Sequence, residues 1–192
     1  MKPFIVAINA ISGGGKTTIT RELQKRVHNS KALFFDDRNY DSDSGIDDVC
    51  EWVEAGADVN LFNLERLAND IEILKRENPD FIFLDYPFGY RHNKIGPYLN
   101  YSIFIDTPLD VAMARRILRE YEEKIITDIK DVLEDMKQYL ERGRNAYLFG
   151  LDSIRENADF LVDGSLPVGE IVKCISEKIM CITSGQVVPK LK

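Results

Sequence analysis

The sequence contains few of the residues that stabilise small secreted proteins through covalent cross-links. Its 192 residues include three cysteines, Cys50, Cys174 and Cys181, and no two of them have CxxC spacing. An odd number without that spacing excludes a disulfide framework and the common zinc sites. Because a chain of this length buries about 70% of its unfolded surface, it needs no cross-link to fold. We therefore expect free thiols in a reducing, cytoplasmic compartment.

Long hydrophobic runs are also missing. A membrane-spanning helix needs about 20 consecutive apolar residues, and no stretch of the sequence approaches that length. The apolar run at 4–8 is too short for a signal peptide and is predicted to be a strand. The sequence thus predicts a cytoplasmic protein without a membrane partner.

The chain has fewer basic than acidic side chains. Lysine and arginine number 25 against 32 aspartates and glutamates, which gives a formal net charge of −7. This acidic balance argues against nonspecific binding to nucleic acid, although it is compatible with a local pocket for phosphate. Hydrophobic residues make up 44% of the chain and charged residues 30%. These values are ordinary for globular domains and exclude wholesale disorder and fibrous repeats.

Five short apolar runs alternate with longer segments of helical spacing, and no repeat or linker divides them. The apolar runs lie at 4–8, 32–35, 81–84, 102–105 and 160–162. The helical segments lie at 16–28, 46–54, 60–77, 108–121, 125–148 and 168–181. Apolar strands separated by helices are typical of a parallel sheet that is covered on both faces. The sequence therefore predicts a single α/β domain.

The most informative motif follows the first predicted strand and opens the first predicted helix, the setting of a Walker A phosphate-binding loop. Its residues are Ser12, Gly13, Gly14, Gly15, Lys16, Thr17 and Thr18. Consecutive glycines let backbone N–H groups converge on phosphate oxygens, and the helix N-terminus adds partial positive charge. We expect Lys16 to reach the β- and γ-phosphates and Thr17 to ligate Mg²⁺. Ala10 replaces the motif's first glycine, so the loop must enter with a conformation that alanine allows.

Together with this loop, further segments in the same order resemble the uridine kinase-like branch of the P-loop kinases. That branch also includes nicotinamide riboside kinases and phosphoribulokinase. The matching segments are Phe35-Asp36-Asp37, Ile103-Phe-Ile-Asp-Thr-Pro-Leu-Asp, Ala114-Arg-Arg-Ile-Leu-Arg-Glu and Ala158-Asp-Phe-Leu-Val-Asp-Gly. The resemblance covers roughly residues 3–180.

This resemblance implies a P-loop NTPase three-layer sandwich with a five-stranded parallel sheet in the order 2-3-1-4-5. It implies one kinase domain over residues 1–183 with a mobile helical lid near 115–145, followed by a polar C-terminal tail at 184–192. ATP and Mg²⁺ are the implied cofactors, and a small molecule with a hydroxyl group is the implied partner. The oligomeric state stays open between a monomer and a homodimer.

The resemblance also implies that an aspartate at the end of the second strand accepts the proton of the acceptor hydroxyl. Two candidates stand there, Asp36 and Asp37. Ligands of parallel α/β sheets gather at the carboxyl ends of strands, and side chains of an extended chain alternate in direction. We expect Asp36 to be the base because it is the first polar residue after Phe34 and Phe35, and Asp37 is the alternative.

Asp85 follows the apolar run 81–84, which is the pattern of a Walker B strand. Its expected role is to hold Mg²⁺ or the water shell of that ion together with Thr17. In the alternative that the resemblance leaves open, Asp85 faces the acceptor instead.

Arg115, Arg116 and Arg119 lie on one predicted helix, and Arg115 and Arg119 share a face because they are four residues apart. The resemblance places this helix at the lid, where arginines stabilise charge on the transferring phosphoryl group. The alternative is a solvated helix whose arginines pair with nearby glutamates. Arg142 and Arg144 are further, weaker candidates for the same role.

The residues after the third predicted strand are candidates for binding the acceptor. Tyr86, Phe88 and Tyr90 would wall a planar group. Arg91 and His92 would hydrogen-bond to it or neutralise it. The alternative is that the aromatic rings belong to the core and that His92 is structural.

The sequence therefore predicts an ATP-dependent small-molecule kinase. It would transfer the γ-phosphoryl group to a hydroxyl of a nucleoside-like or other small metabolite. A P-loop ATPase and a nucleotide-binding regulatory protein without an acceptor are the alternatives.

Overall fold

The five strands form one parallel sheet in the order β2-β3-β1-β4-β5. A computed structural model describes residues 2–36, 40, 46–123 and 128–184. The strands are β1 (Phe4–Asn9), β2 (Ser30–Phe34), β3 (Phe81–Asp85), β4 (Tyr101–Asp106) and β5 (Phe160–Asp163). Each predicted strand lies within about two residues of the observed one, and the predicted strand order is confirmed.

Seven α-helices connect or flank these strands in the described part of the chain. They are α1 (Lys16–Arg26), α2 (Val49–Glu54), α3 (Glu65–Arg76), α4 (Leu109–Glu122), α5 (Ile129–Gln138), α6 (Arg144–Phe149) and α7 (Val168–Thr183). Helix α2 begins later than predicted because the Asp48 side chain accepts hydrogen bonds from the N–H groups of Cys50 and Glu51 and so caps it. The predicted helix 60–77 begins only at Glu65, since Val59–Leu61 forms a separate 3₁₀ turn.

Alternate residues of β1 enter two different cores, which makes the molecule a three-layer sandwich. Ile5 and Ala7 pack with α3 and with the chain that follows β3. Val6 and Ile8 pack on the opposite face, against α1 and α7. Because successive strand side chains point to opposite faces, a strand buried on both faces must be apolar throughout, as β1 is up to Asn9.

The connection from β3 to β4 contains two 3₁₀ turns, Gly89–Arg91 and Gly96–Tyr98, where such crossovers usually have an α-helix. It is tied to β1 by the buried side chain of Asn9. The Asn9 amide donates to the Ser102 hydroxyl at 3.0 Å, and its oxygen accepts from the Gly89 N–H at 2.9 Å. The chain that carries the predicted acceptor residues is thereby fixed to the strand that leads into the phosphate loop.

A continuous helical segment covers residues 129–154, which we call the long helical segment. It consists of α5, a π-turn at Tyr139–Gly143, α6, and a second π-turn at Gly150–Ile154. No helix in the described ranges is long and apolar enough to cross a membrane. Most of the predicted polar tail, residues 185–192, lies outside the described residues.

Candidate active site

The phosphate loop connects β1 to α1 and is packed closely against α4. Gly13 has φ +74°, and a Cβ atom there would collide with the carbonyl oxygen of Ala112. Ala10 does not have a positive φ, and a Cβ atom on Gly14 would lie 2.7 Å from the Ala10 Cβ. Ala10 is therefore accommodated at the loop entry. Its methyl group occupies the space that a side chain at position 14 would need, so glycine is required there. The loop ends at Gly15, which directly precedes α1.

Lys16, Thr17 and Asp85 are in direct contact at the carboxyl edge of the sheet. The Thr17 hydroxyl donates to Asp85 Oδ2 at 2.6 Å, and Lys16 Nζ lies 3.0 Å from Asp85 Oδ1. The Asp85 side chain is only 1% exposed, so these two partners compensate the cost of burying its carboxylate. Ser12 and Thr18, by contrast, are exposed.

The Thr17–Asp85 pair has the chemistry of a magnesium site. Mg²⁺ prefers oxygen ligands and is usually held by one or two carboxylates together with substrate phosphates. Asp85 Oδ1 is buried and accepts no hydrogen bond from the described residues, although Lys16 is near it. The described residues contain no group of three or more aspartate, glutamate, histidine or cysteine side chains that could hold a metal ion by themselves. Thr17 and Asp85 therefore fit an ion that arrives with a nucleotide.

The structure places Asp36 beside this cluster. Its carboxylate lies 3.7 Å from Lys16 Nζ and is 70% exposed. Strand β2 ends at Phe34, and Phe35 and Asp36 lie in turns. The expectation of an extended chain here is therefore wrong, and strand alternation does not distinguish Asp36 from Asp37. Asp37 itself lies outside the described residues.

The three arginines of α4 are not gathered at one point. Arg115 donates to the Gly164 carbonyl at 3.1 Å. Arg116 is paired with Glu120 and with Asp135 of α5, and the half-exposed Arg119 lies 3.7 Å from Glu120. All three guanidinium groups thus have partners on the protein itself.

The residues that are predicted to bind the acceptor molecule lie in different environments. Tyr86 is fully buried, and its hydroxyl has no hydrogen-bond partner among the described residues. The Tyr90 hydroxyl donates to Asp159, whose carboxylate also accepts from the Ser102 N–H. Burial raises the pKa of both tyrosines, and the hydrogen bond to Asp159 raises that of Tyr90 further, so both phenols stay neutral.

Arg91 and His92 are divided between the surface and the interior. The exposed Arg91 has its guanidinium 5.2 Å from the centre of the Phe149 ring. His92 is buried, with Nε2 3.0 Å from the Phe62 carbonyl and Nδ1 accepting from the Lys94 N–H. Both ring nitrogens of His92 thus hold the chain that follows β3.

Aromatic rings pack together next to Asp36 in what we call the aromatic cluster: Phe35, Trp52, Phe62, Tyr86, Phe88 and Phe149. Of this group, the sequence predicts contacts with the acceptor for Tyr86 and Phe88. Trp52 and Phe149 lie 5.2 Å apart although they are distant in sequence. Phe149 directly follows the predicted helical segment 125–148, and sequence spacing does not indicate its partner.

Comparison with known proteins gives relatives at low identity. No family model matches the chain. A uridine kinase from Leuconostoc citreum is 24% identical over 188 residues, covering 84% of this chain and 88% of that protein. A uridine kinase from Streptococcus agalactiae is 22% identical over 205 residues, covering 94% and 96%. Uridine kinase-like protein 3 from Arabidopsis thaliana is 22% identical over 93% of this chain, which spans 44% of the plant protein.

Solved structures share the architecture. TT1252 from Thermus thermophilus has a TM-score of 0.56 at 16% identity, covering 94% of this chain and 98% of that one. A shikimate kinase from Bacteroides thetaiotaomicron has a TM-score of 0.54 at 14% identity, covering 92% and 98%. At these identities the structures show the fold alone, while the sequence relatives support a small-molecule kinase. The chain thus has the fold of the P-loop kinases and resembles the uridine kinases over most of its length.

Proposed function

We propose that the protein transfers the γ-phosphoryl group of ATP to a hydroxyl group of a nucleoside-like small molecule. The observation that carries the proposal is the contact of Lys16 and Thr17 with Asp85, with Asp36 close to Lys16. A cation, two metal-ligand oxygens and a candidate base thereby meet at one edge of the sheet. These are the components that phosphoryl transfer requires.

On the nucleotide side, each residue of this cluster has a separate role. The backbone N–H groups of the phosphate loop bind the phosphates, and Lys16 moves from Asp85 to the β- and γ-phosphates. Thr17 and Asp85 would hold Mg²⁺, which would supply neutralisation of charge on the phosphates. The long helical segment, with the end of α4, is the proposed lid. Arg115, Arg116 and Arg119 would have to exchange their present partners for phosphate oxygens when that lid closes.

On the acceptor side, Asp36 orients the hydroxyl and accepts its proton, and Asp37 is the alternative for this role. The aromatic cluster begins at Phe35, next to Asp36. Most of its rings are buried against one another in this structure, so a planar base would pack on them only after the cluster opens. Movement of the long helical segment would separate Phe149 from Trp52 and open this surface. The relatives named uridine kinase support a nucleoside among the candidate acceptors.

The test is ADP release from MgATP with a panel of nucleosides, sugars and vitamins, with mass spectrometry of the products. We expect a phosphorylated product with at least one nucleoside-like acceptor, and none with Lys16→Ala. Steady ADP release that no acceptor stimulates would support an ATPase instead. Nucleotide binding without any ADP release would support a regulatory protein.

A further inference from the structure

Packing fixes the phosphate loop at two points. At the start of the loop, Ile11 belongs to a buried cluster that also contains Ile154 of the long helical segment. Further along, a Cβ atom on Gly13 would collide with a backbone carbonyl of α4, so this residue lies tightly against that helix. The peptide group between Gly14 and Gly15 comes next, and neither of its flanking residues has a side chain that could pack.

The Gly14–Gly15 peptide group can face either of two ways. Glycine tolerates both signs of φ, so a peptide group between two glycines can turn over at little steric cost. Gly15 has φ +97°, and a Cβ atom there would meet nothing within 4 Å. The Gly14 N–H donates to the Ile11 carbonyl at 2.9 Å, which holds the preceding peptide group but not this one. Its orientation therefore depends on a hydrogen bond to its own carbonyl or N–H.

The side chain of Thr107, directly after β4, supplies that hydrogen bond. Its hydroxyl donates to the Gly14 carbonyl oxygen at 2.9 Å, and the residue is 1% exposed. Strand β4 pairs with β1 in parallel, which brings its carboxyl end next to the loop that leaves β1. Gly164 lies over the hydroxyl, since a Cβ atom there would be 1.9 Å from Thr107 Oγ1. The hydroxyl is thus enclosed with the Gly14 carbonyl as its acceptor.

This hydrogen bond also sets the direction of the Gly15 N–H. A peptide group is planar and trans, so its C=O and its N–H point in opposite directions. The Gly14 carbonyl faces Thr107, and the Gly15 N–H therefore faces the other side of the loop. Gly15 directly precedes α1, at the helix N-terminus where backbone N–H groups bind phosphates.

We propose that Thr107 is a positioning residue that orients the Gly14–Gly15 peptide group, so that the Gly15 N–H is presented to the phosphates of the nucleotide. This inference deepens the proposed function and rests on the part of it in which the loop binds phosphates. A donor that already points at its acceptor needs no reorganisation when the phosphates arrive. Loss of the Thr107 hydroxyl therefore weakens nucleotide binding.

The chain offers a rescue variant and a matched control. Thr107→Val removes the hydroxyl and keeps the branched shape, whereas Thr107→Ser keeps the hydroxyl. Thr20 is also buried, and its hydroxyl donates to the Lys16 carbonyl at 2.9 Å. That carbonyl lies within α1, where helical hydrogen bonds fix its orientation, so Thr20→Val is the control. If Thr107→Val does not fold, Thr107→Ala takes its place.

The first measurement is the NMR resonance of the Gly14 carbonyl carbon in nucleotide-free protein. A carbonyl carbon responds to the loss of its hydrogen-bond donor, so we expect this resonance to shift in Thr107→Val. It should stay near the wild-type position in Thr107→Ser and in Thr20→Val. An unchanged Gly14 resonance in Thr107→Val would overturn the inference.

The second measurement is the affinity for MgADP, by titration calorimetry. We expect Thr107→Val to raise Kd about fivefold, the scale of one neutral hydrogen bond, with Thr107→Ser and Thr20→Val within about twofold of the wild type. A residue that only stabilises the fold would lower Tm without changing the affinity of the folded protein. Wild-type affinity in folded Thr107→Val, or equal losses in Thr107→Val and Thr107→Ser, would therefore overturn the inference.

The same titrations separate this inference from the proposed function. If the wild-type protein binds MgADP with the expected dependence on Thr107 but phosphorylates no acceptor, the proposed function fails and the role of Thr107 stands. If the wild-type protein does not bind MgADP, both are overturned.

Discussion

At the scale of single residues, Asp85 is the group on which the site depends. Its side chain is 1% exposed, and burying a carboxylate is costly unless hydrogen bonds or opposite charges compensate its lost hydration. Both compensating partners, Lys16 and Thr17, lie in the first turn of α1, directly after the phosphate loop. Nucleotide binding therefore has to rearrange this cluster, because Lys16 cannot pair fully with Asp85 and with phosphate at the same time.

The first prediction concerns Thr17. Thr17→Val removes the hydroxyl that donates to Asp85 while keeping the shape of the side chain. We expect the affinity for MgATP to fall at least about tenfold, because both a metal ligand and a hydrogen bond to a carboxylate are lost. The affinity for metal-free ATP should fall much less. Titration calorimetry with and without Mg²⁺ measures the difference.

Thr18→Val is the matched control, because Thr18 is the next residue and is exposed. Because Thr18 is assigned to the phosphates and not to the metal, this variant should leave the ratio of the MgATP affinity to the metal-free ATP affinity near the wild-type value. Equal losses of MgATP and metal-free ATP affinity in Thr17→Val would remove Thr17 from the metal site.

A second residue-scale prediction separates the candidate bases. Asp36→Asn should lower kcat at saturating MgATP by about 100-fold or more, the usual contribution of a general base. Asp37→Asn should have a smaller effect, because the Asp36 carboxylate is the one that lies beside Lys16 in the described chain. Neither substitution should change ADP affinity more than severalfold. A large fall for Asp37→Asn alone would move the assignment by one residue.

At the scale of elements, the long helical segment is attached to α2 as well as to the loop. Arg142 lies in its first π-turn and pairs with Glu54 at 3.1 Å and with Asp48 at 3.4 Å. Phe149 of this segment packs on Trp52, which lies in α2. Because α2 also carries part of the aromatic cluster, this attachment would couple closure of the proposed lid to the acceptor side.

The prediction for this element is a charge reversal. Arg142→Glu places like charges opposite Glu54 and should raise the acceptor KM about threefold at low salt, the scale of exposed ion pairs. The effect should shrink in high salt. The double variant Arg142→Glu/Glu54→Arg, which exchanges the two charges, should return the acceptor KM close to the wild-type value. Arg144→Glu, an exposed change in the adjoining helix, is the control and should have little effect.

The sequence predicts strands and the phosphate loop correctly because their signals come from residues that are close together in the chain. Apolar runs and helical spacing located all five strands, and the glycines with Lys16 located the phosphate loop, because these signals depend on neighbours in sequence. The pairing of Arg116 with Glu120 agrees with the alternative of a helix whose arginines pair with nearby glutamates. The Gly164 carbonyl beside Arg115 and the Asp135 carboxylate beside Arg116 are not predictable, since packing brings these distant residues together. The turn at Phe35 was missed for a similar reason: an apolar residue after a strand does not indicate where the strand ends.

At the scale of the whole molecule, nucleotide binding should be measurable as stability. A ligand that binds only the folded state at about 100 times its Kd adds roughly 2.7 kcal/mol. For a domain of 150–250 residues, each kcal/mol shifts Tm by about 2–4 °C. Saturating MgADP should therefore raise the Tm of the wild-type protein by about 5–10 °C.

The Lys16→Ala variant tests where that stabilisation originates. It removes the cation beside Asp85, so its own Tm without ligand is expected to fall, and the informative quantity is the shift that MgADP causes. That shift should drop to about 2 °C or less, because the phosphates lose the side-chain charge that holds them. Lys25→Ala is the control, because Lys25 lies on the same helix and is paired with Glu22 at the surface. The increase in Tm that MgADP causes in this variant should equal that of the wild type. A full MgADP shift in a folded Lys16→Ala protein would show that the nucleotide binds away from this loop, and the proposed function would then fail.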